Sequence, residues 1–158
     1  MLKYHNFDIV FSEIPDEVTL AINLTQCPNH CEGCHSPWLQ EDKGKVVDEN
    51  EIEALLSEYD KLITCFCFMG GDAAPLEVER MAQYIKTTNH LKTAWYSGKS
   101  ELSKEIAVTS FDYIKVGPYN KAFGPLTSRT TNQRLYKVTP DGDLEDITKR
   151  FWKASDIF

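Results

Sequence analysis

The chain has no apolar run long enough to cross a bilayer. Its opening, MLKYHNFDIVFSEIP, threads charges through its apolar residues and does not fit a secretory signal. Both absences predict a cytoplasmic protein with no membrane partner. Positive charge is also scarce: 17 Lys and Arg stand against 24 Asp and Glu, a net charge of -7. That balance argues against a general nucleic-acid binder, which needs a basic face, although a local basic stretch spans 115–134. Internal repeats, low-complexity segments and interdomain linkers are missing too. Residues 1–158 therefore read as one domain, long enough to bury a real core.

Cysteine is not scarce. The chain has five, an odd number for a disulfide framework, and a reducing cytoplasm disfavours one. Three lie within CPNHCEGCHSP, residues 27–37. Clustered cysteines in a cytosolic chain more often bind metal or do redox work.

The rest of the sequence alternates strand and helix signals. VTLAINL (18–24) reads as a strand ending at the cysteines. DENEIEALLSEYD reads as a helix capped by Asp48, with Glu51 three residues on and Ile52, Leu55, Leu56 and Tyr59 at helical spacing. LITCFCFM (62–69) is a buried strand before Gly70-Gly71, and its Cys65 and Cys67 point to one face as core residues. PLEVERMAQYIKTTN (75–89) opens with proline and repeats Val78, Met81, Ala82 and Ile85, as a helix does. A strand at 91–97, a short helix at 100–108 with Ser100 as N-cap, and a strand at 111–116 follow. A long loop at 118–134 leads to a closing hairpin that turns at Asp141-Gly142. Alternating strands and helices predict an α/β fold with a mostly parallel sheet. A full eight-unit barrel takes about 250 residues, so the expectation is a partial, open parallel β/α barrel.

In parallel α/β folds, ligand-binding loops gather at the C-terminal ends of the strands. The cysteine cluster, Gly70-Gly71-Asp72, Ser97-Gly98 and Gly117-Pro118 each follow a strand, so all four should meet on one side.

The cysteine spacing allows several chemistries. Cys31-Glu32-Gly33-Cys34-His35 matches covalent haem attachment, but that uses two cysteines and belongs outside the cytoplasm. A redox pair of Cys31 and Cys34 leaves Cys27 unexplained. Structural zinc could draw on Cys27, Cys31, Cys34 and either His30 or His35, yet a second cysteine knuckle is lacking. An iron–sulfur cluster uses all three cysteines. Three thiolates on a four-iron cluster leave one iron open, which suggests a reactive site and not an electron wire.

Cys27-x-x-x-Cys31-x-x-Cys34 resembles the signature of radical S-adenosylmethionine enzymes. Most of that superfamily carry an aromatic residue before the third cysteine. Gly33 there is similar to the anaerobic ribonucleoside-triphosphate reductase activating proteins. Gly70-Gly71-Asp72 before Pro75-Leu76 resembles their Gly-Gly-Asp-Pro-Leu, with Ala73-Ala74 added. Trp95-Tyr96-Ser97-Gly98 and Asn132-Gln133-Arg134 are similar to two further motifs of theirs, in the same order.

The resemblance implies a single radical S-adenosylmethionine domain with the partial barrel of that superfamily. It implies a [4Fe-4S] cluster on Cys27, Cys31 and Cys34, with no catalytic residue beyond these ligands. S-adenosyl-L-methionine would lie along Gly33, Cys34, His35, Gly70, Gly71, Asp72 and Ser97, with Asp72 taking its ammonium group. Asn132, Gln133 and Arg134 would contact the site or a partner. The implied activity is reductive cleavage of S-adenosylmethionine to a 5′-deoxyadenosyl radical that generates a glycyl radical on a large reductase. A small protein would donate the electron. Two alternatives stay open: a radical enzyme acting on a small molecule in cofactor or modified-nucleoside synthesis, and a zinc-binding interaction module.

Overall fold

The computed structural model describes residues 1–29 and 37–152. Its centre is an eight-stranded mixed sheet. The strands are β1 (Lys3–Val10), β2 (Thr19–Leu24), β3 (Lys45–Val46), β4 (Cys65–Met69), β5 (Lys92–Tyr96), β6 (Tyr113–Val116), β7 (Arg134–Val138) and β8 (Leu144–Asp146). Their spatial order is β3-β1-β2-β4-β5-β6-β7-β8. The four middle strands, β2, β4, β5 and β6, run parallel. β1 and β3 on one flank, and β7 and β8 on the other, are antiparallel.

Two α-helices occur among the described residues, α1 (Glu49–Tyr59) and α2 (Pro75–Thr88). Asp48 caps α1 by accepting a hydrogen bond from the Glu51 backbone N–H, and Pro75 opens α2, as their sequences predict. Both helices pack on one face of the sheet. Ile52, Leu55 and Leu56 of α1 and Val78, Met81 and Ile85 of α2 meet Leu20, Ile22, Phe66, Phe68 and Trp95 in a single core. Among the described residues, no α-helix packs on the opposite face. Its inward residues, Ala21, Cys65, Cys67, Ala94, Tyr113 and Leu135, are covered by Ile14 and Ile147 from loops. Cys65 and Cys67 are fully buried there. Desolvation pushes both thiols above their ordinary range, which suits core residues and not nucleophiles.

The expected open parallel β/α barrel is therefore corrected to a mixed sheet with helices on one face. Three differences explain it. The predicted helix at 100–108 does not form; a short 3-10 turn at Val108–Ser110 stands in its place. Polar side chains capture the amides a helix would need: Glu105 N–H donates to Ser103 Oγ, and Ala107 N–H donates to Glu79 Oε2. The N-terminal segment, unassigned from sequence, is the eight-residue strand β1. Its mixed polar pattern reflects mostly exposed or half-buried positions. β3 is two residues long and too short to leave a periodic signal. The closing hairpin does form, with Gly142 at φ +87° in its turn. Among the described residues, no helix is long and apolar enough to cross a membrane.

At the N-terminal ends of the parallel strands, Glu17 ties the sheet together. It is 5% exposed. Its carboxylate accepts from Lys92 Nζ (2.8 Å), Tyr113 Oη (2.7 Å) and Thr64 Oγ1 (2.7 Å). Burial alone would raise its pKa, but these hydrogen bonds outweigh burial and hold the carboxyl below its ordinary value. Because folding lowers this pKa, the stabilisation is fully present above the unfolded value of about 4.3. It is lost as pH falls through the folded value. Glu17→Gln should cost about 1–3 kcal/mol at pH 7. Urea unfolding at pH 7 and pH 3 should show the gap between the two proteins closing in acid.

Candidate functional site

The four parallel strands end on one rim, and the loops that leave them are held by continued hydrogen bonding. Gly70 N–H donates to Tyr96 O (2.9 Å), Ser97 N–H to Lys115 O (2.8 Å), and Gly117 N–H to Lys99 O (2.7 Å). The predicted convergence of the loops is present.

After β2 the chain enters the cysteine loop. Gln26 takes a left-handed conformation, φ +63°. Gln26 N–H donates to Glu41 O and Cys27 N–H to Leu39 O, so the outgoing and returning strands of the loop pair at its base. Thr25 Oγ1 donates to Lys43 O (2.6 Å), and Gln26 Nε2 to Asp42 Oδ1 (2.8 Å). Lys3 Nζ pairs with the same Asp42 oxygen at 2.8 Å. Cys27 is half-buried, and its Sγ donates to Asn29 O at 3.6 Å. Cys31, Gly33, Cys34 and His35 lie outside the described residues.

After β4 come two consecutive glycines with positive φ, Gly70 at +97° and Gly71 at +91°. Their reasons differ. Gly70 lines a cavity, and Trp95 Nε1 pins its carbonyl at 2.6 Å. Gly71 faces the core. A Cβ there would sit 2.6 Å from Val78 Cγ2 and 2.8 Å from Leu24 Cδ1. Its role is close packing against α2.

Asp72 joins three loops. Oδ1 accepts from Ser97 Oγ (2.5 Å), and Oδ2 accepts from Gly98 N–H (2.8 Å) and Asn29 Nδ2 (2.6 Å). Ser97 is 2% exposed. Its hydroxyl is turned to Asp72 and also accepts from Lys99 N–H at 3.1 Å. Ser97 thus supports Asp72 and does not itself line the cavity.

The cavity, about 230 Å³, brings together Cys27, Asn29, Gly70, Asp72, Gly98 and Lys115. Lys115 is 7% exposed. Its ammonium donates to Gly117 O (2.7 Å) and Ser97 O (3.2 Å) and lies 5.7 Å from the Tyr96 ring centroid. Sequence reasoning missed Lys115 and Asn29 as site residues. A single lysine inside the apolar run FDYIKV was the available signal for the first. A second, larger cavity of about 840 Å³ adjoins the first. Met69 and Tyr96, at the ends of β4 and β5, line both. Burial pushes the Tyr96 hydroxyl well above its ordinary pKa, so it stays protonated.

The late motif divides. Gln133 is buried and lines the larger cavity, while its Nε2 donates weakly to Gly117 O at 3.4 Å. Asn132 is exposed and bonds Pro118 O (3.1 Å). Arg134 begins β7 and pairs with Asp146 at 3.6 Å.

The thiol, the bare backbone and the carboxylate share one cavity. Of the three implied cluster ligands only Cys27 lies among the described residues, and among these no group of three or more His, Cys, Asp or Glu side chains is placed to hold a metal ion. No protein-family model, curated protein or solved structure matches the chain.

The two glycines should respond differently to alanine. Gly70→Ala strains the backbone alone and should cost about 1–2 kcal/mol. Gly71→Ala adds a core clash and should cost about 3 kcal/mol or more. Urea unfolding of the two variants checks the order.

Proposed function

We propose that the chain is a radical S-adenosylmethionine activase that generates a glycyl radical on a large reductase, anaerobic ribonucleoside-triphosphate reductase by resemblance. The observation that carries this reading is the one cavity shared by Cys27, Gly70, Asp72 and Lys115. Cys27, Cys31 and Cys34 would hold a [4Fe-4S] cluster, which would supply the electron for reductive cleavage of S-adenosylmethionine to methionine and a 5′-deoxyadenosyl radical, the species that would take a hydrogen atom from the partner's glycine. The cofactors carry this chemistry, and the protein binds, orients and shields.

Asp72 still has acceptor capacity on Oδ1 beyond its three donors, and this oxygen takes the ammonium of the methionyl group. Lys115 provides the fixed positive charge for its carboxylate. Gly70 lets the backbone approach closely. The larger cavity admits the hydrogen donor past Met69 and Tyr96. A small protein brings the electron, and the work takes place in the cytoplasm.

The larger cavity also supports a second reading. A bay of about 840 Å³ beside the cofactor site is large enough for a small-molecule substrate. Both readings share the cleavage step and differ in what supplies the hydrogen atom.

Anaerobic reconstitution with iron and sulfide should give a brown protein that yields 5′-deoxyadenosine from S-adenosylmethionine and reductant. Adding the reductase should produce a glycyl radical signal by electron paramagnetic resonance. Cleavage without that signal would favour the small-molecule reading. Zinc with no brown chromophore and no sulfide would reject both.

Alanine at Cys27, Cys31 or Cys34 should abolish cleavage. Cys65→Ala should leave it mostly intact, because Cys65 is enclosed in the core. A Cys65→Ala protein that folds normally yet cleaves nothing would contradict that assignment.

A further inference from the structure

We infer that Asn29 is a positioning residue: its side-chain amide sets the distance between the cysteine loop and the seat formed by β4 and β5. Asn29 lies two residues past Cys27, inside the cysteine loop. Its Nδ2 donates to Asp72 Oδ2 at 2.6 Å, a short bond to a carboxylate. Hydrogen bonds to a charged group are among the strong ones. This side-chain bond joins the cysteine loop directly to the residue that follows the glycine pair.

Gly98 gives independent support. Its φ lies outside the left-handed range, so the backbone does not demand glycine. The space does. A Cβ at Gly98 would lie 2.6 Å from Asn29 Nδ2 and 3.2 Å from Asn29 Cγ. Gly98 N–H meanwhile donates to the same Asp72 oxygen at 2.8 Å. Residue 98 therefore has to be small for the amide of Asn29 to reach Asp72. Three chain segments, after β2, β4 and β5, converge on one carboxylate oxygen. The base of the cysteine loop is already clamped at Gln26 and Cys27. Asn29 extends that clamp two residues further, toward the ligand seat.

The consequence rests on the proposed function. A metal group on the cysteines and an amino-acid group on Asp72 must meet at a fixed separation, and Asn29 holds it. Asn29 does not need to touch either group to do this. Its loss should weaken ligand binding and spare turnover at saturation.

The test uses the full chain and two variants that disturb the bond from opposite sides. Asn29→Ala removes the donor. Gly98→Ala leaves donor and acceptor in place and pushes them apart. Solution NMR reads amide exchange at position 98, as protection relative to the intrinsic rate of the residue there, because the Gly98 N–H is sheltered by the same carboxylate. Both variants should exchange about tenfold faster there, as expected for loss of a charge-assisted bond, with little change in the core strands. In iron-loaded protein, both should raise KM for S-adenosylmethionine about tenfold and leave kcat within about twofold. Iron content should match the unaltered protein.

Wild-type protection at position 98 in both variants would overturn the inference. So would a fall in kcat with KM unchanged, which would place Asn29 outside the binding geometry. If the unaltered protein neither binds nor cleaves S-adenosylmethionine, the proposed function fails, and the exchange result alone then decides whether Asn29 holds the loop. Should Asn29→Ala fail to fold, Gly98→Ala carries the same measurements.

Discussion

The parallel run of β2, β4, β5 and β6 is the constraint on which everything else depends. Strands that share a direction end on one rim, so each loop leaving them is delivered to the same place. Here the ladder does not stop where the strands do. Gly70, Ser97 and Gly117 each donate a backbone hydrogen bond to the neighbouring segment beyond the last paired residue. The rim is thus an extension of the sheet, with the order of a sheet and the variety of side chains of loops. Asp72, Gly98 and Lys115 can occupy fixed places because their backbones are not free to wander.

Charge at this rim is arranged in opposed pairs. Asp72 sits on one side of the small cavity, held by three donors, and the buried Lys115 on another. Neither bond set is incidental, since a buried charge without partners is costly. Opposite charges across one cavity suit a zwitterion, and the methionyl end of the proposed ligand is one. At the far end of the same strands, Glu17 plays a purely structural part. It gathers Lys92, Tyr113 and Thr64 around one carboxylate. The parallel strands are therefore pinned by a carboxylate at each end, buried at Glu17 and half-buried at Asp72.

Much of the core was legible in sequence because its signals are local. The cap at Asp48, the proline at Pro75 and the periodic apolar residues of both helices are short-range features. The shared direction of the four middle strands followed from their alternation with helix signals. What could not be read depends on distant partners. β1 pairs with β2 along its length and with β3 at Lys3 and Tyr4, yet its side chains are mostly exposed or half-buried, so its pattern carries no period. The helix expected at 100–108 loses to Glu79, a residue of α2 that captures the Ala107 amide. Site residues divide in the same way. Gly70 and Asp72 announced themselves beside a strand end. Gly71 and Ser97 read as ligand contacts but serve packing and support, which emerges from Val78, Leu24 and Asp72 in three dimensions. Asn29 carried no signal, because its partner is 43 residues away.

The two margins of the sheet have a consequence of their own. β3 is two residues long, and β8 is Leu144-Glu145-Asp146, exposed throughout, with two acidic residues of its three and Asp143 beside it. Short, charged borders offer a poor template for another chain's backbone. At β3 and β8 the sheet is therefore ill suited to seed a ribbon of stacked copies, because each border presents only two or three residues for another strand to pair with.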